Sequence, residues 1–345
     1  MAVIFLHPPT EMSPSGGNIF NRQVIHQARQ RRFALVPIEV AEATGHERVI
    51  GYLRQRHGQL ILWDSLLMQR INQAARRYGR GRHALLLHFL PSLNPLLDAD
   101  QRGSAQQMEN LAIQAVQFLI TTGRRLAQHL QDRFPQKPVF VCEPGVSMSF
   151  SAAEATASSR YDLDSVQLLT AANLLPAKGY TDLLCVLARL RHLNWRWHIA
   201  GSDSLDREYA ARFWELADSG GMKDRITFHG VLDQHGVASL MSSADLFLSP
   251  SHYEAYGMAV AEAVAAGLPV LATRTGEADR LVRQGINGWL ADVGDWTSFE
   301  QSLAVLIEDE AARRRMRGGP DLPPRSWEMA FEEFRSACGC MLGQR

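Results

Sequence analysis

The chain is poor in cysteine and lacks long apolar runs. Its 345 residues include four cysteines, and their spacing, with one Cys338-Gly339-Cys340 pair near the end, does not match the ligand pairs of a zinc site. We therefore expect free thiols in a reducing cytosol and no bound metal. No stretch approaches the ~20 apolar residues that span a bilayer. Residues 1–6 lack the basic start of a secretory signal and predict a strand, so we expect a cytoplasmic protein.

Composition and length indicate a folded protein of two domains. Hydrophobic residues make up 46% of the chain and charged residues 21%, which excludes a disordered, collagen-like or coiled-coil protein. Because a single core rarely grows beyond ~250–300 residues, a chain of 345 residues predicts two domains.

The formal net charge is zero, but the charges are unevenly distributed. Residues 1–150 contain 17 Lys and Arg against 10 Asp and Glu, whereas residues 151–345 contain 19 against 26. The basic half could meet an anionic acceptor or the inner face of a membrane as a peripheral protein, or the two halves could simply attract each other. The arginine clusters of this half could also be helix faces that are simply exposed to solvent and bind no partner. Nucleic-acid binding is not expected, because no recognised module accompanies the charge.

Apolar segments alternate with helical stretches in two groups, and Asn18 is expected to cap the first helix, at about residues 19–31. Continuous apolar runs are typical of parallel strands buried on both faces. Pro144-Gly145 and the Ser- and Ala-rich residues 147–160 predict a linker. We predict two doubly wound α/β domains with a cleft between them, formed by residues 1–147 with a helix at about 326–345, and by residues 160–322. The predicted strands are 2–6, 34–40, 60–63, 84–87, 117–120 and 139–141, followed by 166–170, 197–200, 226–228, 246–249 and 270–272.

Residues 245–273 carry the strongest functional signal. A buried strand at 246–249 is followed by a loop and then by an alanine-rich helix that starts near Gly257 and ends before Gly267. The free N–H groups of such a helix form an anion site suited to a diphosphate. Glu254 precedes this terminus and Glu262 lies in the second helical turn. Since phosphates repel carboxylates, both glutamates are expected to face hydroxyl groups of a sugar or ribose.

Two glutamates eight positions apart, Glu254 and Glu262, flank a Tyr-Gly pair and are followed by Ala-Gly-Leu-Pro-Val. This pattern resembles the signature of family 4 of the GT-B glycosyltransferases (glycosyl transferases group 1). The resemblance implies that Glu254 contacts the transferred sugar and that Glu262 binds the ribose of the nucleotide. It further implies that backbone amides after the first glutamate hold sugar hydroxyls and phosphate, here those of Ala255, Tyr256, Gly257, Met258 and Ala259.

The resemblance extends over most of the chain. Gly16 and Gly17 resemble the family's first glycine-rich loop, where the backbone approaches donor phosphates or acceptor. Residues 173–179, with Lys178, resemble the loop whose cations bind the donor phosphates, and Gly230 resembles a strand end of the nucleotide pocket.

Two positions depart from the family's pattern. Asn173, counted with the donor-binding residues, stands where the family commonly has arginine, which leaves one cation fewer for the diphosphate. Glu277 stands where it often has a second glycine, so the sugar pocket is expected to differ.

Polar residues also end strands of the first domain. His88 follows the strand at 84–87 and Asp64 follows that at 60–63, at the sheet edge where ligands bind. We expect His88 to contact donor sugar or acceptor and Asp64 to lie on the acceptor side, with a purely structural role as the alternative for each. Two Asp-x-Asp pairs, at 98–100 and 162–164, could hold a metal. Asp100 could equally cap a following helix, and the second pair lies in the presumed linker region.

The resemblance implies a retaining glycosyltransferase that moves a hexose from a nucleotide-diphosphate sugar to an acceptor hydroxyl, on a glycan or a lipid-linked molecule, without metal or other cofactor. Glu254, Lys178 and His88 are the predicted catalytic residues. The alternatives are a GT-B epimerase or phosphorylase and a catalytically silent subunit that binds a sugar nucleotide. A phosphorylase usually needs a lysine for pyridoxal phosphate, and the chain has only Lys137, Lys178 and Lys223.

Overall fold

The computed structural model describes residues 2–9, 15–41, 59–71, 82–150, 164–317 and 324–343. The chain divides into two compact units, residues 1–145 with 325–345, and residues 146–324. Each unit contains a six-stranded sheet in which all strand pairs are parallel. The predicted α/β class with two doubly wound sheets is therefore confirmed. Within the described residues, no helix combines the length and apolar character needed to cross a membrane.

The sheet of the first unit has the strand order β2-β1-β3-β4-β5-β6. The order reverses between β1 and β3, and ligands bind at such switch points in open α/β sheets. The strands β1, β3 and β4 are almost wholly buried, as their apolar sequences predict. The elements are β1 (Val3–His7), α1 (Gly16–Gln30), β2 (Leu35–Glu39), β3 (Leu60–Asp64), β4 (Arg82–Leu87), α2 (Ala99–Gln114), β5 (Phe118–Thr121), α3 (Arg124–Arg133) and β6 (Val139–Val141).

Helix α1 begins earlier than the sequence suggested. We expected Asn18 to cap a helix from about residue 19, but Ser15 is the N-cap, and its Oγ accepts the Asn18 N–H at 3.2 Å. Asn18 is instead a buried residue inside the helix. Gly16 and Gly17 consequently form its first turn rather than a loop.

The sheet of the second unit has the order β12-β11-β10-β7-β8-β9, so its switch point lies between β7 and β10. Each predicted strand is present, with ends that differ by no more than two residues, and β12 is an additional edge strand paired with β11. The elements are β7 (Val166–Ala171), α4 (Tyr180–Arg189), β8 (Trp195–Ala200), α5 (Arg207–Ser219), β9 (Ile226–Gly230), α6 (Gln234–Ser243), β10 (Leu246–Ser249), α7 (Met258–Ala265), β11 (Val270–Thr273), α8 (Ala278–Leu281), β12 (Gly288–Ala291), α9 (Trp296–Glu308) and α10 (Glu310–Met316).

The last helix, α11 (Trp327–Leu342), belongs to the first unit. Phe20 of α1 and Trp327 of α11 meet edge to face, with ring centroids 6.0 Å apart. Gly145 lies so close to this helix start that a Cβ there would be 2.4 Å from the Trp327 nitrogen. Val146 and Phe150 pack instead into the core of the second unit, whereas residues 146–147 were expected in the first domain.

Candidate active site

Two loops meet at the switch point of the second unit. Lys178 ends the 3₁₀ turn that follows β7, and its Nζ lies 2.6 Å from Oε1 of Glu254, in the loop that follows β10. Gly179 has φ +67°, and a Cβ there would lie 2.0 Å from the carbonyl oxygen of Pro250, so only glycine allows this approach. Two residues predicted to act together, 76 positions apart, thus form an ion pair with both side chains about a quarter exposed or less.

The loop that holds Glu254 is fixed by side chains that were not among the predicted site residues. Ser251 Oγ donates to Glu254 Oε1 at 2.9 Å, and Thr273 Oγ1 donates to the Ser251 carbonyl at 2.5 Å. His252 Nε2 lies 2.9 Å from Asp182 Oδ2 on α4. In the sequence, the only sign of these contacts is that Ser251 and His252 are polar residues close to Glu254. These contacts hold Glu254 in place without a ligand.

Helix α7 begins beside this loop with an open N-terminus. Gly257 is the N-cap in the left-handed region (φ +98°), and among the described residues no side chain caps the helix. The first N–H groups of α7 therefore remain available to an anion. Of the flanking residues predicted to bind the donor, Tyr256 is buried, and Ala255, Met258 and Ala259 are half-buried.

Glu277 is packed against the same segment. Its N–H donates to the Tyr256 carbonyl at 2.8 Å, and its side chain, 1% exposed, accepts a hydrogen bond from Arg280 at 2.9 Å. The family often has a second glycine at position 277. The glutamate here instead adds a buried carboxylate that pairs with Arg280 beside the segment leading into α7.

Glu262 lies in α7 and is 9% exposed. No hydrogen bond reaches its carboxyl group from the part of the chain that the structure describes. Burial raises its pKa to about 8, because the charged form loses hydration without gaining a partner. The site therefore holds a buried carboxyl group to which no described residue donates a hydrogen bond.

Asn173 follows β7 and Gly230 ends β9, and the end of β8 lies between them. The Asn173 Oδ1 accepts the Ser202 N–H at 2.9 Å, and the Gly230 carbonyl accepts the Gly201 N–H at 2.8 Å. These bonds tie the ends of β7, β8 and β9 together. The amide oxygen of Asn173 thus accepts a backbone hydrogen bond. An arginine at this position could not do so, because its side chain has no acceptor.

A second polar cluster lies at the switch point of the first unit. Asp64, the last residue of β3, is fully buried, and its Oδ2 accepts a hydrogen bond from Asn21 Nδ2 at 2.5 Å. His88 Nε2 lies 3.1 Å from Asp64 Oδ2 and 3.1 Å from Asn21 Oδ1. The Leu66 N–H donates to Asp64 Oδ1 at 2.7 Å. Asp64 and His88, predicted separately, form one site; Asn21 was missed.

The remaining predicted positions resolve into local structure. Gly17 lies against His88, where a Cβ would be 3.0 Å from ring atoms Cδ2 and Cγ. Asp98 caps α2 by accepting the Gln101 N–H, whereas Asp100, the expected cap, lies in the first turn of the helix. In the second pair, residues 162–163 lie outside the described residues.

Residues 152–318 match the family model described as glycosyl transferases group 1. This stretch contains Lys178, Glu254 and Glu262. Residues 1–151, with His88 and Asp64, lie outside it.

Relatives and solved structures agree with this match. The chain is 35% identical over 115 residues to N-acetyl-alpha-D-glucosaminyl L-malate synthase of Bacillus anthracis, covering 33% of this chain and 28% of that protein. It is 30% identical over 205 residues to D-inositol 3-phosphate glycosyltransferase of Xylanimonas cellulosilytica, covering 56% and 49%. The chain thus spans about half or less of these relatives. Sucrose-phosphate synthase of Thermosynechococcus elongatus superposes with a TM-score of 0.78 at 16% identity, covering 100% and 97% of the two chains. The fold is therefore that of the GT-B glycosyltransferases.

Proposed function

We propose that this chain is a retaining glycosyltransferase of GT-B family 4, which moves a hexose from a nucleotide-diphosphate sugar to an acceptor hydroxyl without a metal or other cofactor. The observation that carries the proposal is the Lys178–Glu254 ion pair, in which Nζ and Oε1 are 2.6 Å apart. Glu254 lies three residues before Gly257, the N-cap of α7, where no described side chain caps the helix. The match of residues 152–318 to glycosyl transferases group 1 supports it.

The charges at this site suit the departure of a diphosphate. As the glycosidic bond breaks, negative charge grows on the leaving phosphate and positive charge grows on the sugar ring. The N–H groups of α7 and the ammonium group of Lys178 stabilise the phosphate. Glu254 is neutralised by Lys178 and held by Ser251, so it can orient the sugar close to phosphates that would otherwise repel it. The departing phosphate itself takes the proton of the acceptor.

Glu262 provides the ribose contact in this proposal. Its buried carboxyl group has no partner within the described residues, and two ribose hydroxyls supply the donors that it lacks. Within the second unit, Asn173 and Gly230 line the rest of the donor site in the proposal. On the first unit, His88 contacts a hydroxyl group and Asp64 lies on the acceptor side.

The acceptor and the location follow from weaker signals. The relatives' names include L-malate and inositol 3-phosphate. Small hydroxylated anions should therefore be tested as acceptors, in addition to glycans and lipid-linked molecules. Arg22, Arg29 and Arg32 on or after α1 are exposed, and they form the basic face that would contact anionic lipids peripherally. Flotation with vesicles containing phosphatidylserine tests that contact.

The central test is transfer or hydrolysis with a panel of UDP- and GDP-sugars. Lys178→Ala should lower kcat by about 10²–10³-fold, because a charge opposite the leaving group is lost. Lys223→Ala is the matched control, since Lys223 is an exposed lysine 3.5 Å from Asp218. No turnover with any sugar nucleotide would favour the silent subunit. Conversion of the donor without transfer would favour an epimerase. Absorbance of bound pyridoxal phosphate would favour a phosphorylase.

Stereochemistry and metal dependence are tested on the same reaction. Proton NMR of the product should show the anomeric configuration of the donor, and turnover should persist in EDTA. Loss of turnover in EDTA that manganese restores would contradict the metal-free mechanism, and an inverted product would contradict retention.

A further inference from the structure

The buried cluster of the first unit fixes the hydrogen position on His88. The ring nitrogen Nε2 faces two oxygens, Asp64 Oδ2 and Asn21 Oδ1, each at 3.1 Å. The Asn21 amide is oriented by its own donation to Asp64, so its oxygen faces the ring. A hydrogen on Nε2 satisfies both oxygens. Without that hydrogen, the Nε2 lone pair would face the lone pairs of the amide oxygen in a site closed to water.

The other side of the ring is different. Nδ1 receives no hydrogen bond from the residues that the structure describes, although His88 is only 7% exposed. The ring packs against Gly17 and makes an edge-to-face contact with Phe20 at 5.6 Å, and the backbone N–H of His88 donates to Ser65 Oγ at 3.1 Å. A neutral imidazole with its hydrogen on Nε2 can only accept a hydrogen bond at Nδ1.

We propose that Asp64 and Asn21 are positioning residues that hold His88 in the Nε2–H tautomer, so that Nδ1 accepts a hydrogen bond from a substrate hydroxyl and does not bind an anion. The assignment deepens the proposed function, on which it rests for the identity of the substrate. It names the class of group that His88 contacts, a neutral hydroxyl of sugar or acceptor. Phosphate and carboxylate groups lack the donor that this nitrogen requires.

The test is long-range ¹H–¹⁵N NMR of the full chain with labelled histidine, in which the His88 signals are identified by their loss in His88→Gln. At pH 7.5, the wild-type Nε2–H tautomer should outnumber the other by at least about tenfold, the factor that one buried hydrogen bond supplies. Asp64→Asn should shift this ratio toward Nδ1–H, because its amide group can donate to Nε2. A wild-type His88 that is Nδ1–H or doubly protonated overturns the proposal.

His83 serves as an internal control. Trp63 Nε1 donates to its Nδ1 at 3.1 Å, so its signals should stay unchanged in Asp64→Asn. If that variant does not fold, Asn21→Ala, which removes one of the two oxygens facing Nε2, should lower the tautomer ratio in the same direction. An unchanged ratio in a folded variant contradicts the positioning role.

The substrate side is tested with two probes. Methyl α-D-glucopyranoside, which offers only neutral hydroxyls, should move the Nδ1 resonance of His88, whereas sodium acetate should not. A response to acetate alone, or no response to the glucoside, counts against the proposal. Because these readouts do not require turnover, they can succeed or fail independently of the transferase assay. Confirmed tautomer and probe results without turnover would refute only the proposed function.

Discussion

Two buried carboxyl groups lie near the switch points of the two sheets, and their surroundings are opposite. Asp64 in the first unit is fully buried and accepts hydrogen bonds from Asn21 and the Leu66 N–H, with the His88 ring at 3.1 Å. Glu262 in the second unit is 9% exposed, and no described residue bonds to its carboxyl group. Burial raises the pKa of Glu262 to about 8. A carboxyl group with all its donors is part of the fold, whereas one without donors is suited to a ligand that brings them.

Removing each carboxyl group should separate these roles most clearly. Asp64→Ala leaves three buried donors without an acceptor, so it should lower the free energy of unfolding by about 3–5 kcal/mol. Glu262→Gln keeps the shape of a group that is mostly neutral at pH 7, so we expect a change of less than about 1 kcal/mol. Urea denaturation followed by circular dichroism measures both.

Asp132→Ala is the control for the loss of a carboxylate, because Asp132 is exposed on α3. It should change the unfolding free energy by no more than about 0.5 kcal/mol. Equal losses for Asp64→Ala and Glu262→Gln would break the comparison, since Glu262 would then have structural partners of its own.

The second prediction concerns protons released on nucleotide binding. With a pKa of about 8, Glu262 holds a proton at pH 7, and ribose hydroxyls that donate to its carboxylate should expel it. UDP binding should then release close to one proton, and affinity should rise about tenfold per pH unit as pH increases toward 8, then level off. Calorimetry in buffers of different ionisation enthalpy measures the release.

Glu262→Gln is the matched control, because it removes the titrating group and keeps the ionisation of UDP itself. The variant should bind UDP more weakly and lose the extra proton. Proton release that is the same in both proteins would mean that the Glu262 carboxylate does not meet the ribose.

The contrast between the two sites was only partly predictable from sequence. The strands could be predicted because parallel strands buried on both faces are continuous apolar runs. The start of α7 and the glutamates beside it were predicted because strand, loop, glycine and alanine-rich helix follow one another locally. The short edge strand β12 was missed because its four residues, Gly288–Ala291, form no distinctive run.

Residues joined by long-range contacts could not be predicted in this way. Asn21 is 43 positions from Asp64 and 67 from His88, and nothing in its helix sequence distinguishes it from a surface asparagine. Its partners become neighbours only when β1 and β3 pair and α1 packs against them. The cap of α1 was misassigned for a related reason, since Ser15 and Asn18 are both good N-cap residues and only the packing of Asn18 decides between them.

The smallest predicted effect tests how tightly the Asp64 side of the comparison is packed. Gly17 and Gly103 both lie in helices of the first unit, but a Cβ at Gly17 would be 3.0 Å from the His88 ring, whereas one at Gly103 meets nothing within 4 Å. Gly103→Ala should therefore stabilise α2 by about 0.5–1 kcal/mol and raise Tm by about 1–4 °C. Gly17→Ala should gain none of this, because the ring and its bonds to Asp64 and Asn21 must shift. Differential scanning calorimetry of the two variants compares them. A rise in Tm for Gly17→Ala equal to that for Gly103→Ala would show that His88 moves freely, and that Asp64 does not hold it.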